Sequence, residues 1–320
     1  MKILVTGATG FLGRHLMRRL SAEHEVTGLA RNQPWDTPYR YVRGDVLRRD
    51  SLEPHLAGVD VLVHAAGRVS HHERDAVALW DLHVNGTANA LDAAKAAGVR
   101  RVVYLSTSGT VAVGRTFEVR DESSPSPLRT IQPWPYYRSK LFAEEEALRR
   151  AAPGFEVVSL NPSLLLGPGD HDQESTRSVH LFLQGRLNSV PPGGVSFVDV
   201  RDAADAVALA LARGASGSRY LLGAANWTWT AFYEQLAHLS GLQPPLMVLP
   251  RITRRFTGLL PAEVPAAFEH LMPISRAELD LACHCWYLDS RRARADLGWQ
   301  SRDPAETLLD TFRPSPMERP

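Results

Sequence analysis

Cysteine is nearly absent from this chain of 320 residues: there are two, Cys283 and Cys285, one residue apart. That count excludes a disulfide framework, and a lone C-x-C with no second pair is a poor zinc site, so no metal centre is expected. His284 between them alternates to the opposite face of an extended stretch. Two reduced structural cysteines point to a reducing compartment, and the expected location is the cytoplasm. Long apolar runs are missing too. No stretch reaches 18 residues, which excludes a spanning helix. The start, Lys2 followed by Ile3-Leu4-Val5, is signal-like but is broken by Gly7, Gly10, Gly13 and Arg14. An excess of one charge is also lacking, with 36 Lys+Arg against 35 Asp+Glu. Nucleic-acid binders need a basic stripe to displace counterions, so none is expected as a partner. The basic clusters at Arg14/Arg18/Arg19, Arg254/Arg255 and Arg291/Arg292/Arg294 read as solvated helix faces.

What remains is an ordinary globular composition, 44% hydrophobic and 22% charged, long enough for one large α/β unit or two domains. The first half alternates β-branched runs with amphipathic stretches, the pattern of a parallel sheet with crossover helices. Strands are expected at Lys2–Thr6, Glu25–Ala30, Tyr39–Arg43, Val59–His64, Arg101–Ser106 and Glu156–Asn161, several as continuous apolar runs covered on both faces. Leu12, Leu16 and Leu20 mark one helix, and Val84, Ala88, Leu91 and Ala94 another. A third helix, Tyr136 to Arg150, opens after Pro133 and Pro135. The expected fold class is therefore α/β, a doubly wound parallel sheet with helices on both faces and a smaller mixed, mainly helical C-terminal region. The expected division is 1–165 for the first domain, with about 195–225 returning to it in part, then 166–313 for the second region and 314–320 for a frayed tail. Strands at Val195–Val200 and Arg219–Leu222 flank a helix at Asp202–Arg213.

The sharpest local signal is Thr6-Gly7-Ala8-Thr9-Gly10-Phe11-Leu12-Gly13, which follows a strand and opens a helix. The glycines allow a positive φ, close approach of a pyrophosphate and close helix packing, and the helix N-terminus offers free N–H groups to phosphate. An acid that would bind the adenosine ribose should stand about 20 residues on, at the end of the second strand. The chain has Ala30-Arg31 there. Loss of the carboxylate removes repulsion of a 2′-phosphate and the arginine can bind it, which favours NADP(H), with NAD(H) as the alternative. Asp45 and Val46 after the third strand could receive the adenine. Ala65-Ala66-Gly67 after the fourth are small where a cofactor lies flat on the backbone.

Tyr136 and Lys140 share one helix face at i, i+4, and an ammonium beside a phenol should lower its pKa from about 10 towards general acid–base use. Together the glycine loop and this pair resemble the extended short-chain dehydrogenase/reductases, with their TGxxGxxG loop and YxxxK pair. The likeness covers nearly the whole chain, including His64-Ala65-Ala66-Gly67, Asn85-Gly86-Thr87, Asn161-Pro162-Ser163, Gly167-Pro168-Gly169-Asp170, Phe197–Asp202 and the ending Asp289–Trp299. The resemblance implies a Rossmann fold, with 1–165 the NAD(P)-binding domain and 166–313 the substrate-binding region, and a catalytic set of Thr107, Tyr136 and Lys140, with Ser108 the other hydroxyl that fits the register. It further implies that Asn85 is the helix asparagine near the active site, that Pro162 and Ser163 border the cofactor, and that the chain pairs as a homodimer. The implied activity is reduction of a ketone to an alcohol, or the reverse, on a small-molecule substrate, as in the dihydroflavonol-4-reductase branch. The alternatives are a nucleotide-sugar epimerase or dehydratase with retained NAD, and a non-catalytic NADP-binding regulator. Trp227, Trp229, Phe232 and Tyr233 could line an apolar pocket, although most of such a cluster belongs in a core. Leu246–Leu271, with its prolines, could form a lid.

Overall fold

The computed structural model describes residues 1–320 except 33, 35, 36, 188, 246, 254–256, 258–273 and 314–320. The Arg254/Arg255 pair, most of the Leu246–Leu271 segment and the tail after Arg313 lie outside the described residues. Seven strands form one sheet: β1 (Lys2–Thr6), β2 (Glu25–Ala30), β3 (Arg40–Arg43), β4 (Val61–His64), β5 (Arg101–Leu105), β6 (Glu156–Pro162) and a late strand, Arg219–Leu222. Their order runs from Arg219–Leu222 through β6, β5, β4, β1 and β2 to β3, and every pairing is parallel.

Alternation of side chains explains why these strands read as unbroken apolar runs. Ile3, Val5, Val61, Val63, Val103, Leu105, Val158 and Leu160 point to one face, where Leu16, Met17 and Leu20 of α1 (Phe11–Ser21) cover them. Val207, Ala210 and Leu211 of the Val200–Arg213 helix complete that layer. Leu4, Leu62, Val102, Tyr104 and Val157 point the other way, onto Leu91 and Ala94 of the Gly86–Ala96 helix and Ala143 and Ala147 of the Pro135–Leu148 helix. The fold is a Rossmann-like α/β sandwich with a buried parallel sheet.

Element ends move by one or two residues for local reasons. The fourth strand starts at Val61 rather than Val59, because Asp60 accepts a hydrogen bond from the Lys2 backbone and Val59 closes a turn on Leu56. The helix expected from Asp202 begins at Val200, because Asp199 rather than Asp202 caps it, accepting from the Arg201 N–H. The strand before it accordingly runs Gly194–Asp199.

Beyond the main sheet, Gly194–Asp199 pairs in parallel with Leu164–Leu166 and antiparallel with Ala225–Thr228. The helix Trp229–Ser240 packs Phe232, Tyr233 and Leu236 against this small sheet. The ending Asp289–Trp299 is a tether: Trp299 is buried and its indole N–H donates to the Asp202 carbonyl at 2.8 Å.

Candidate active site

The sheet order reverses beside β1, whose two neighbours are β2 and β4, and open α/β sheets bind ligands at such a point. Gly7 turns the chain there with φ +70°, and a Cβ on it would lie 2.5 Å from the Ala65 carbonyl oxygen. Gly13 is tighter, since its Cβ would stand 2.0 Å from the Gly7 oxygen. The helix α1 starts on an extended Gly10 with no side-chain cap and no acid in its first turn. Its leading N–H groups and dipole therefore suit an anion, and the loop fits a dinucleotide pyrophosphate. Arg14 fastens this loop by donating to the Thr9 and Gly169 carbonyls, and the His15 ring bonds the Pro168 carbonyl. Gly13→Ala should displace backbone and cost about 1–3 kcal/mol in stability together with cofactor affinity. Thermal melts and cofactor titration of that variant check this, and wild-type values in both would contradict it.

Around the loop, Phe11 and Leu12 are half-buried at the helix start, and Ala65 and Ala66 pass beside it, the Ala66 N–H donating to Thr6 Oγ1. Ala30 is buried at the end of β2, while Arg31 is exposed just past it. Asp45 closes its own turn, accepting from the Leu47 N–H at 3.0 Å, and Val46 is buried with its carbonyl held by Asn89. Gly67 is exposed, opposite His83.

Thr107 lies two residues past β5 as the cap of a short turn, accepting from the Gly109 N–H, and its hydroxyl is near enough to that of Tyr136 to favour the phenolate. Ser108, the competing hydroxyl, is more buried but also lines the cavity below. Tyr136 and Lys140 lie on the Pro135–Leu148 helix, which starts at Pro135, a residue suited to the first turn. Lys140 is 5% exposed and donates to Tyr104 Oη at 3.0 Å and the Leu105 carbonyl at 2.6 Å. Burial pushes Tyr136 up to about 12, with Glu174 adding to the rise and the Thr107 hydroxyl opposing it. The expectation that Lys140 lowers this pKa is therefore corrected. Desolvation of the phenolate prevails, and Lys140 spends two of its three donors on Tyr104 and Leu105. Burial brings Lys140 itself down to about 8, against the pull of Glu144.

A buried chain runs on from the lysine. Thr87, beside Tyr104, has its Oγ1 3.2 Å from His64 Nε2, and His64 Nδ1 lies 2.8 Å from Thr6 Oγ1. Burial, with Lys140 nearby, holds His64 neutral, its pKa down to about 3. A second support is Glu144, one turn beyond Lys140 and fully buried. It accepts from Ser106, Thr110 and Asn161, and Arg219 Nε lies 3.0 Å from its other oxygen. Asn161 also donates to the Thr107 carbonyl, so this carboxylate holds the Thr107 loop.

Asn85 does not join the site. It is exposed and donates to Asp81 Oδ1 at 2.9 Å. A single wide, π-type turn over Asp81–Asn85 rotates it outward and brings His83 inward instead. The Arg68 N–H donates to His83 Nε2 and His83 Nδ1 lies 2.8 Å from Ser139 Oγ, with its ring edge-on to Tyr136 at 5.6 Å. Burial and the Lys140 charge take His83 down to about 2. Nothing in the local sequence distinguishes it among 12 histidines.

Thr107 and Tyr136 open onto a cavity of about 310 Å³. Pro162 and Ser163 border it, and Leu164, Leu181, Leu281 and Trp286 supply apolar wall. Of the expected aromatic cluster, Trp229 and Tyr233 line the cavity, whereas Phe232 is fully buried and Trp227 packs on Phe197. The charged lining is Glu174, Arg177 and Glu278, and Arg177 pairs with Glu278 at 2.5 Å. Sequence reasoning missed His71, Tyr137 and the segment around Leu281–Trp286, which reach the cavity from distant parts of the chain.

The sequence pattern of the NAD dependent epimerase/dehydratase family matches residues 3–223. The chain belongs to that family. A Synechocystis sp. relative, named provisionally as a dihydroflavonol 4-reductase, is 31% identical over 317 residues, covering 96% of this chain and 92% of its own. The sterol demethylase protein B of Methylococcus capsulatus is 33% identical over 257 residues, 78% of either chain. Among solved structures, gox2253 superposes with a TM-score of 0.82 at 27% identity, covering 97% of this chain and 96% of its own. This family member is thus an enzyme of the extended short-chain dehydrogenase/reductase type with an NAD-binding Rossmann fold. No helix among the described residues is long and apolar enough to cross a membrane.

Proposed function

We propose that the protein reduces a ketone to an alcohol, or runs the reverse, with NADP(H) as cofactor. The observation that carries this reading is the Thr107–Tyr136 hydroxyl pair at the wall of an apolar cavity. The dinucleotide would be held by the Gly7–Gly13 loop and, at its nicotinamide ribose, by Lys140; when bound it supplies the hydride. Thr107 then hydrogen-bonds the carbonyl oxygen and Tyr136 gives its proton to the developing alkoxide, so one hydride and one proton convert C=O to CH–OH. A phenol at about 12 is fully protonated at neutral pH, as a donor must be.

Two carboxylates, with the one guanidinium already paired to Glu278, make the cavity a poor host for a nucleoside diphosphate, which supports a ketone over a nucleotide sugar. For the adenosine end, buried Ala30 and exposed Arg31 support a 2′-phosphate. The test is absorbance at 340 nm with NADPH or NADH and a panel of apolar ketones, alongside dissociation constants for both cofactors. Consumption of NADPH with tighter NADPH binding is expected. Co-purified NAD without net consumption would instead support the epimerase, and tighter NADH would overturn the cofactor assignment.

A further inference from the structure

Buried polar atoms without a partner are few in native proteins, and each asks for an explanation. Among the described residues, His71 Nδ1, Ser163 Oγ, Ser196 Oγ and Trp229 Nε1 are such atoms, and all four residues line the cavity just described. Ser196 is 1% exposed and Trp229 9%. An apolar pocket with a few convergent unpaired groups is how proteins orient a ligand. The position of these groups matters more than their number. Thr107 lies two residues past β5, and Ser163 follows β6, the next strand in the sheet. Leu164 pairs with Phe197, so Ser163 and Ser196 precede that paired step on neighbouring segments. Trp229 follows Ala225–Thr228, the strand paired with Gly194–Asp199 on its far side. Ser196, on this three-stranded sheet, and Trp229, at the start of the helix that follows it, therefore reach the cavity from different elements than Thr107 and Tyr136.

We propose that the substrate carries a second, uncharged oxygen remote from the carbonyl, and that Trp229 Nε1 and Ser196 Oγ select for it. An indole N–H only donates, so the group it receives is an acceptor, such as a hydroxyl or a carbonyl oxygen. Leaving both protein groups desolvated and unpaired against a plain hydrocarbon is the basis of rejection. This inference rests on the reductase reading, naming the substrate class for the same cavity.

The test uses the full-length protein with 4-(4-hydroxyphenyl)cyclohexanone and 4-phenylcyclohexanone, which differ only in the far oxygen. Turnover is followed at 340 nm and affinity by calorimetry with cofactor present. The oxygenated ketone should be favoured about tenfold in kcat/KM and in Kd, and that ratio should shrink towards one in Trp229→Phe and, separately, in Ser196→Ala. Equal handling of the pair by the native protein, a ratio unchanged in both variants, or binding of neither ketone overturns the proposal. A calorimetric preference without any NADPH consumption would sink the reductase reading while upholding the second oxygen; consumption without preference would do the reverse.

Discussion

Replacing Tyr136 by phenylalanine should lower kcat for ketone reduction by roughly 10²–10⁴-fold, the usual contribution of a positioned general acid. The variant loses only the hydroxyl that faces Thr107. Its ring still meets His83 edge-on and Tyr137 at 5.0 Å, so the packing is preserved. Cofactor affinity should stay within about twofold, because the pyrophosphate loop at Gly7–Gly13 and the adenosine end at Arg31 lie on other elements. A stopped-flow measurement of single-turnover reduction, paired with NADPH titration, separates chemistry from binding. Near-native turnover in the variant would refute the assignment of Tyr136 as proton donor. Lys140 gives the experiment a second handle. Lowered to about 8 by burial, it loses its charge as the pH rises through that value, so native reduction should decline above about pH 8 while the phenol, at about 12, stays protonated.

The layers of this fold were readable because their cause is local. Ile3, Leu4 and Val5 are all apolar since the sheet is covered on both sides, and a glycine at 13 is required wherever a helix presses onto the turn before it. The parts that were not readable arise from one irregular turn or from distant segments. The wide turn at Asp81–Asn85 changes which residue faces inward, and ordinary 3.6-residue spacing gives no hint that His83 replaces Asn85. The cavity takes walls from His71, Leu164, Trp229 and Trp286, four stretches whose convergence only the three-dimensional fold decides. Ionisation fails for a related reason. The i, i+4 spacing places Tyr136 above Lys140 but says nothing of Tyr104 and Leu105, which take up the ammonium, or of the burial that raises the phenol.

Those same buried groups make the fold sensitive to acid. His64 and His83 are neutral in the folded chain, with pKa values of about 3 and about 2, against 6.5 when unfolded. Burial lowers His15 and His71 as well. Below pH 6.5 the unfolded chain binds protons that the folded chain refuses, so stability present above 6.5 is lost as the pH falls towards the folded values. From pH 7 to 5, His64 and His83 should each cost about 2 kcal/mol. Asp202 acts in the opposite sense. Burial raises it to about 6, so the folded chain takes its proton first and recovers about 1 kcal/mol over the same range. The net loss, about 3 kcal/mol, is a large part of the 5–15 kcal/mol that usually separates folded from unfolded states. Urea unfolding at pH 7, 6 and 5 measures it directly. His83→Gln, which can still accept from the Arg68 N–H and donate to Ser139, should reduce the loss by about 2 kcal/mol. Stability that holds constant or rises between pH 7 and 5 would show that these histidines take up protons in the folded state, and that the hydrogen-bond chains drawn through them from Thr87 to Thr6 and from Arg68 to Ser139 are not those of the native protein.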